Sequence, residues 1–206
     1  MPARNIYKVY LEDTYYHVYN RGVNKEAIFR DEEDYARFIS LLTRYLDASH
    51  RNERQTNGCA YPCYDEKVNL LAYCLLQNHF HMFLYQYEVN GMRQLLSSVT
   101  VAYSMYFNKK YKRVGPVFQQ RYRAVRISDD AQLMHITRYI HLNPDTYESY
   151  KWSSYHNYAG TRFNHWLKPG RVLELFSYDT AAYVDFVADY KDKHDELELM
   201  KQELAG

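Results

Sequence analysis

Two histidines, His79 and His81, flank a single phenylalanine and are the sharpest chemical signal in the chain. In a β-strand alternate side chains share a face, so both imidazoles would point one way and Phe80, Met82 and Leu84 the other. Two neutral imidazoles side by side can chelate one divalent cation. The same pair could also be two polar residues on a solvated strand face, so the motif alone leaves both interpretations open.

A second signal is the pair Tyr139 and Asn143, four residues apart in a segment with helical periodicity. Residues at this spacing are neighbours on a helix surface. A phenol that could reach a phosphate and an amide oxygen that could reach a metal would then project together from one rigid element. Pro144 disfavours helical backbone at Asn143, which predicts that the helix ends there. An ordinary amphipathic helix ending in Asn-Pro is the alternative.

The remaining pattern predicts the elements that must position these residues. Strands are expected at residues 15–20, 68–76, 79–87 and 121–127, and helices at 31–47, 91–113 and from Asp129 to about residue 143. Asp129 and Gln132 have the spacing of a capping box, and residues 50–66 are expected to form a long loop. This order indicates an α+β fold, with an antiparallel sheet and helices packed mainly on one face. We expect one domain over residues 1–153 and a partly helical C-terminal appendage over residues 154–206.

Charge is unevenly distributed along a chain whose formal net charge is only +1. Residues 90–128 contain no acidic side chain, whereas acidic residues outnumber basic ones from residue 171 onward. One face could therefore contact phosphates while the molecule stays near neutral; a merely solvated helix face is the alternative. The candidate DNA-backbone contacts are Lys109, Lys110, Lys112, Arg113, Arg121, Arg123 and Arg126.

Composition excludes several classes of protein. No run of apolar residues is long enough for a membrane span, and the N-terminus lacks the layout of a secretory signal, so we expect a cytoplasmic protein. The chain has 24 tyrosines, whose rings suit stacking against single-stranded nucleic acid, although most of them must be ordinary core and surface residues.

Taken together, these residues resemble a known family. His79-Phe80-His81 is a histidine-hydrophobic-histidine (HUH) motif, and residues 138–144 look like the nucleophile helix of single-tyrosine HUH transposases. The closest resemblance is to the REP-associated tyrosine transposases, relatives of the insertion-sequence transposases. Residues 16–22, 115–122 and 152–155 match the same pattern, so the resemblance runs from about residue 14 to 160. The sequence departs from the family at residues 76–78, where Leu-Gln-Asn stands in place of the frequent Met-Pro-Asn, and in its longer loop at 50–66.

The resemblance implies a ferredoxin-like fold, with the two histidines on a central strand and Tyr139 on a helix beside it. It also implies that Asn143 is the third protein ligand of a divalent metal, Mg²⁺ or Mn²⁺, held with His79 and His81. Tyr139 would attack a phosphodiester of single-stranded or hairpin DNA, giving a 5′-phosphotyrosine and a free 3′-OH that allows strand transfer. Insertion-sequence relatives act as dimers and REP-associated ones as monomers, so the sequence allows a monomer or a homodimer.

Three other functions remain open at this point. A ferredoxin-like nucleic-acid-binding module could have lost its chemistry while keeping the fold. A metallohydrolase could use the two histidines to activate water, although Phe83 and Leu84 stand where the common HxHxDH motif needs Asp and His. A replication or relaxase nickase of the HUH class shares the chemistry, but the short chain and the single candidate tyrosine favour the transposase branch.

Overall fold

The computed structural model describes residues 10–55 and 58–189. Its strands are β1 (Thr14–Arg21), β2 (Val68–Leu76), β3 (His79–Gln86) and β4 (Arg123–Ile127). Its helices are α1 (Glu32–Leu46), α2 (Gly91–Lys110), α3 (Asp130–His141), α4 (Tyr155–Tyr158), α5 (Gly170–Leu173) and α6 (Thr180–Ala188), with short 3₁₀ turns at Val23–Lys25, Ala48–His50 and Glu174–Phe176.

The four strands form one antiparallel sheet in the order β2-β3-β1-β4. With the chain order β1-α1-β2-β3-α2-β4, this is the ferredoxin-like arrangement, in which each helix connects strands that are not neighbours. The expected α+β class and antiparallel sheet are confirmed. β1 lies between β3 and β4, so its residue Tyr19 pairs with His81 on one side and with Arg123 on the other.

Alternation along β3 divides its side chains between two cores. Phe80, Met82 and Leu84 are fully buried against α1 and α2 in the first core. Phe83 and Tyr85 belong to the second core, on the opposite face. The predicted separation of the apolar stripe from the histidine face is therefore confirmed, because a pleated strand sends successive side chains to opposite sides.

Helices cover both faces of the sheet, whereas the sequence pattern suggested mainly one. α1 and α2 pack on the first face, and the second face carries α3 together with the C-terminal helices α4 to α6. The pattern was misleading because α4 and α5 are only four residues long, too short to show a helical period. The histidine face of β3 is thus covered by helices instead of being solvated.

The segment expected to be an appendage is part of the same fold as far as residue 189. Lys168 donates its backbone N–H to the carbonyl of Leu70 (2.8 Å), and Tyr158 donates its hydroxyl to the carbonyl of Leu71 (3.0 Å). Both carbonyls belong to β2, so the expected boundary at residues 153/154 lies within one packed unit. The acid-rich residues 190–206 lie outside the described residues.

The helix boundaries follow local chemistry. Gln132 donates its backbone N–H to the carboxylate of Asp129 (2.8 Å), which confirms the predicted cap of α3. α2 ends at Lys110, three residues before the expected end, and Lys112 adopts a left-handed backbone (φ 51°) that a continuing helix could not contain. None of the described helices is long and apolar enough to cross a bilayer.

Candidate active site

A cleft of about 350 Å³ opens on the second face of the sheet, near the end of β1 and the start of β3. His79, His81 and Tyr139 all line this cleft, so the structure brings together three of the four residues expected to carry the chemistry. None of the residues that line it carries a carboxylate. A site of this composition favours a polyanionic substrate, because no fixed negative charge opposes its binding.

His79 and His81 lie on the same face of β3, and both line the cleft. Their ring centroids are 5.1 Å apart, with the rings nearly perpendicular. His79 places Nδ1 2.6 Å from Oδ1 of Asn78, whose Nδ2 in turn donates to the carbonyl of Lys25. Since Oδ1 can only accept, Nδ1 of His79 donates in this contact. A divalent cation held by His79 would therefore bind at Nε2, and two imidazoles on one strand face are a donor set that suits such an ion.

A third histidine, His17 on β1, lies beneath the pair. Its Nε2 is 2.9 Å from Nδ1 of His81, and the two rings stack at 5.1 Å with an angle of 10° between their planes. Burial lowers the pKa of His17 to about 3, which keeps the ring neutral. His17 was not among the residues predicted to carry the chemistry. The signal was its place in the family-like stretch 16–22, on the strand face opposite Tyr16 and Val18.

Tyr139 projects from α3 towards these histidines and is 6% exposed. Its ring meets those of His81 and His17 edge-on, with centroids 5.4 and 5.8 Å apart. Tyr19 is the other tyrosine among the described residues lining the cleft, and it stacks on His81 at 5.8 Å. Tyr106 on α2 is not among the residues that line the cleft, and it donates its hydroxyl to Asp34 (3.0 Å). Proximity therefore leaves Tyr139 and Tyr19 as competitors.

Contacts with the C-terminal segment fix α3 in place. Arg138, which precedes Tyr139, donates to the carbonyl of Phe186 (3.2 Å) and places its guanidinium 4.1 Å from the centre of that ring. His141 is fully buried between the hydroxyls of Tyr183 and Ser154, each 2.7 Å away. α3 is consequently held at two points, one on each side of Tyr139.

Asn143 lies just beyond the end of α3 and is half-buried. Its Nδ2 donates to the backbone carbonyl of Tyr139 (2.9 Å), and it is not among the residues that line the cleft. Within the described residues, no group of three or more His, Cys, Asp or Glu side chains could hold a metal ion. The geometry therefore brings together two imidazoles as candidate metal ligands, and the role of Asn143 stays a prediction.

The cations near the cleft differ from the set expected from sequence. Arg123 lines the cleft, as do Arg21 and Lys25, which the charge pattern missed because they lie outside the acid-free segment. Arg121 is exposed in a neighbouring groove. Arg126 pairs with Tyr16 across the sheet, on the face opposite Arg123, so one strand face cannot present both.

Other members of the expected basic set are already paired with acids. The ammonium of Lys110 lies 2.8–2.9 Å from carboxylates of Asp31, Glu33 and Asp34. Arg113 lies 3.5 Å from Glu26. Lys109 and Lys112 are exposed. A cluster of charge in the sequence is thus partly neutralised in space, because α1 brings its acidic first turn against the end of α2.

The chain is similar to known proteins in sequence and in fold. Residues 10–143 match the family described as transposase IS200-like. Among solved structures, a REP-associated tyrosine transposase bound to a REP hairpin is similar, with a TM-score of 0.52 and 12% identity over 82% of this chain and 92% of that one. No curated protein matches the chain. This protein belongs to the IS200-like transposase family and has the fold of the REP-associated tyrosine transposase.

Proposed function

We propose that this protein is a metal-dependent nuclease and strand transferase that acts on single-stranded DNA through a 5′-phosphotyrosine intermediate. The observation that carries the proposal is the edge-on contact of Tyr139 with His81, at 5.4 Å, in a cleft without carboxylates. A nucleophile beside two imidazoles and several cations suits phosphoryl transfer better than water activation, which would have no use for the phenol.

Other side chains in or near the cleft have roles in this proposal. His79 and His81 would hold Mg²⁺ or Mn²⁺, with Asn143 as the proposed third ligand. A bound divalent ion supplies Lewis-acid charge for the non-bridging oxygens of the scissile phosphate. Arg21 and Arg123 would orient the phosphodiester from the cleft wall, since guanidinium groups pair with phosphate in fixed geometry.

The proposed reaction exchanges one phosphoester for another. The phenolic oxygen of Tyr139 forms a bond to phosphorus while the bond from phosphorus to the 3′-oxygen breaks. The 3′-oxygen leaves with a proton as a 3′-OH, and the phenol proton passes to solvent. No phosphodiester energy is lost to hydrolysis, so a 3′-OH can attack the phosphotyrosine in reverse, and a different 3′-OH would give strand transfer.

Single-stranded or hairpin DNA is the proposed substrate. The phenol and both imidazoles face one small cleft, which suits one exposed backbone rather than two paired strands. The similar solved transposase is bound to a REP hairpin, which supports a hairpin with single-stranded flanks as the first substrate to try. We propose that the protein works in the cytoplasm, where such DNA would be available.

The decisive experiment compares Tyr139→Phe with Tyr19→Phe, the same change at the other tyrosine in the cleft. Each protein is mixed with a labelled hairpin oligonucleotide and Mn²⁺, and the covalent protein–DNA adduct is measured on a denaturing gel. We expect an adduct with wild type and Tyr19→Phe, and none with Tyr139→Phe. An undiminished adduct with Tyr139→Phe would refute the assignment. A wild-type protein that binds the hairpin without any adduct would indicate a binding module that has lost its chemistry.

A further inference from the structure

A second concavity adjoins the cleft. It is a groove of about 300 Å³ between α2 and the segment that leads into β4. Gln120 lines both the cleft and the groove, so the two share a wall. A DNA strand with one phosphate in the cleft could therefore extend into the groove.

The wall of the groove formed by α2 is apolar and exposed. Val101 and Met105 are 56% and 70% exposed, and they lie one turn apart on the same helix face. Phe118, on the segment opposite α2, also lines the groove. Exposed apolar side chains such as Val101 and Met105 can pack against the face of a nucleobase, and every base has such a face.

Asn108 lies on the same face of α2 and also lines the groove. Its Nδ2 donates to the carbonyl of Gly115 (2.9 Å), which ties the end of α2 to the segment that leads into β4.

The wall shared by the cleft and the groove is held to the end of β1. Asn20, which is 3% exposed, donates from Nδ2 to the carbonyls of both Gln120 and Arg121, each at 2.8 Å. Gln119 donates its backbone N–H to the carbonyl of Arg21 (2.9 Å). Arg121 is consequently fixed at the groove with its side chain exposed, where it could pair with a phosphate that follows a bound base.

We propose that this groove binds one unpaired nucleobase of the strand whose scissile phosphate occupies the cleft. The proposal rests on the proposed function, because it takes the same DNA strand as the ligand. It adds a subsite that positions the strand by base packing against Met105 and Val101, with Arg121 on the adjoining phosphate.

The test is a double-mutant cycle between Met105 and one base of the DNA. The probe is a fluorescent hairpin oligonucleotide with single-stranded flanks, and an abasic site is moved through the flanks one position at a time. Affinity is measured by anisotropy for wild type, Met105→Ala and the control Val114→Ala, at a residue 99% exposed and outside the groove. We expect Met105→Ala to weaken binding about five-fold, Val114→Ala to have no effect, and one abasic position to weaken wild type but barely weaken Met105→Ala.

Two results would overturn the groove proposal while leaving the proposed function intact. In the first, the adduct forms at the normal rate, and at every abasic position the combined loss of affinity equals the product of the loss from Met105→Ala and the loss from the abasic site. Met105 and the base would then act independently. In the second, wild type sediments as a dimer, whereas a Met105→Glu variant sediments as a monomer and binds DNA normally. The groove would then be an interface between two copies. Failure of wild type to bind the hairpin would refute both proposals. Binding without an adduct would refute only the proposed chemistry.

Discussion

Nε2 of His17 lies 2.9 Å from Nδ1 of His81, inside a protein core that leaves His17 only 1% exposed. Because burial lowers the pKa of His17 and keeps it neutral, one of these nitrogens donates and the other accepts. A metal on Nε2 of His81 requires the proton on Nδ1, with His17 as the acceptor. As the acceptor, His17 would stabilise the tautomer of His81 that can bind a metal, as outer-shell partners of metal-bound histidines commonly do.

Replacing His17 with Phe keeps an aromatic ring but removes the acceptor. We expect Mn²⁺ affinity, measured by calorimetry without DNA, to fall about ten-fold or more. His17→Gln offers a side-chain carbonyl and should retain more of the affinity. The melting temperature of each variant in EDTA separates loss of tautomer control from loss of folding. Equal Mn²⁺ affinity for wild type and a folded His17→Phe would rule out this positioning role.

Asn143 is tested by comparing two substitutions at the same position. Asn143→Ala removes the proposed amide ligand and should weaken Mn²⁺ binding by at least about ten-fold, the loss typical even of outer-shell changes. Asn143→Asp replaces an amide oxygen with a carboxylate, a good ligand for Mn²⁺, and should bind at least as tightly as wild type. Since Nδ2 of Asn143 also closes on the carbonyl of Tyr139, melting temperatures serve as the control. Wild-type affinity in the Ala variant would leave two imidazoles as the protein ligands.

The arginines should differ in their effect on DNA binding according to position. Each phosphate contact with a single strand contributes about 0.7 to the slope of log affinity against log salt concentration. Arg123→Ala, in the cleft, and Arg121→Ala, in the groove, should each reduce that slope by up to about this amount. Arg126→Ala, on the other sheet face, should reduce it less. Equal reductions of the salt slope by all three variants would contradict the expectation that DNA contacts only one face of the sheet.

The parts of this fold that could be predicted from sequence are those with local signals. The apolar pattern predicted the bounds of β2 and β3 almost to the residue, and the Asp129 cap marked the start of α3. Alternation along β3 placed His79 and His81 on one face. These predictions worked because a strand period and a capping hydrogen bond depend on residues only a few positions apart.

What could not be predicted depends on pairing between distant segments. His17 contacts His81 only because the register of β1 against β3 brings them together, 64 residues apart in the chain. Lys110 is paired with Asp31 and Asp34 because α1 and α2 pack side by side, so its charge could not be assigned to DNA from the local sequence. Both contacts join residues that are far apart in the chain, so no local sequence pattern indicated them.

The buried His141 gives a prediction for stability against pH. It is the last residue of α3 and is fully buried against the C-terminal segment, and burial lowers its pKa to about 3. The unfolded chain, with a histidine pKa near 6.5, therefore takes up this proton first as the pH falls. Its contribution to stability is complete above about pH 6.5 and is lost progressively from there towards pH 3.

Between pH 7 and pH 5 this group should lower the free energy of unfolding by about 2 kcal/mol, and His17 should add a similar amount. His141→Gln should be less stable than wild type at pH 7, because it loses hydrogen bonds to Tyr183 and Ser154. Its unfolding free energy should nevertheless fall by about 2 kcal/mol less than that of wild type over the same interval. Urea unfolding at both pH values measures this difference, with His165→Gln as a control at an exposed histidine. If His141→Gln and wild type lose the same stability between pH 7 and pH 5, His141 is not a neutral buried group that links α3 to α6.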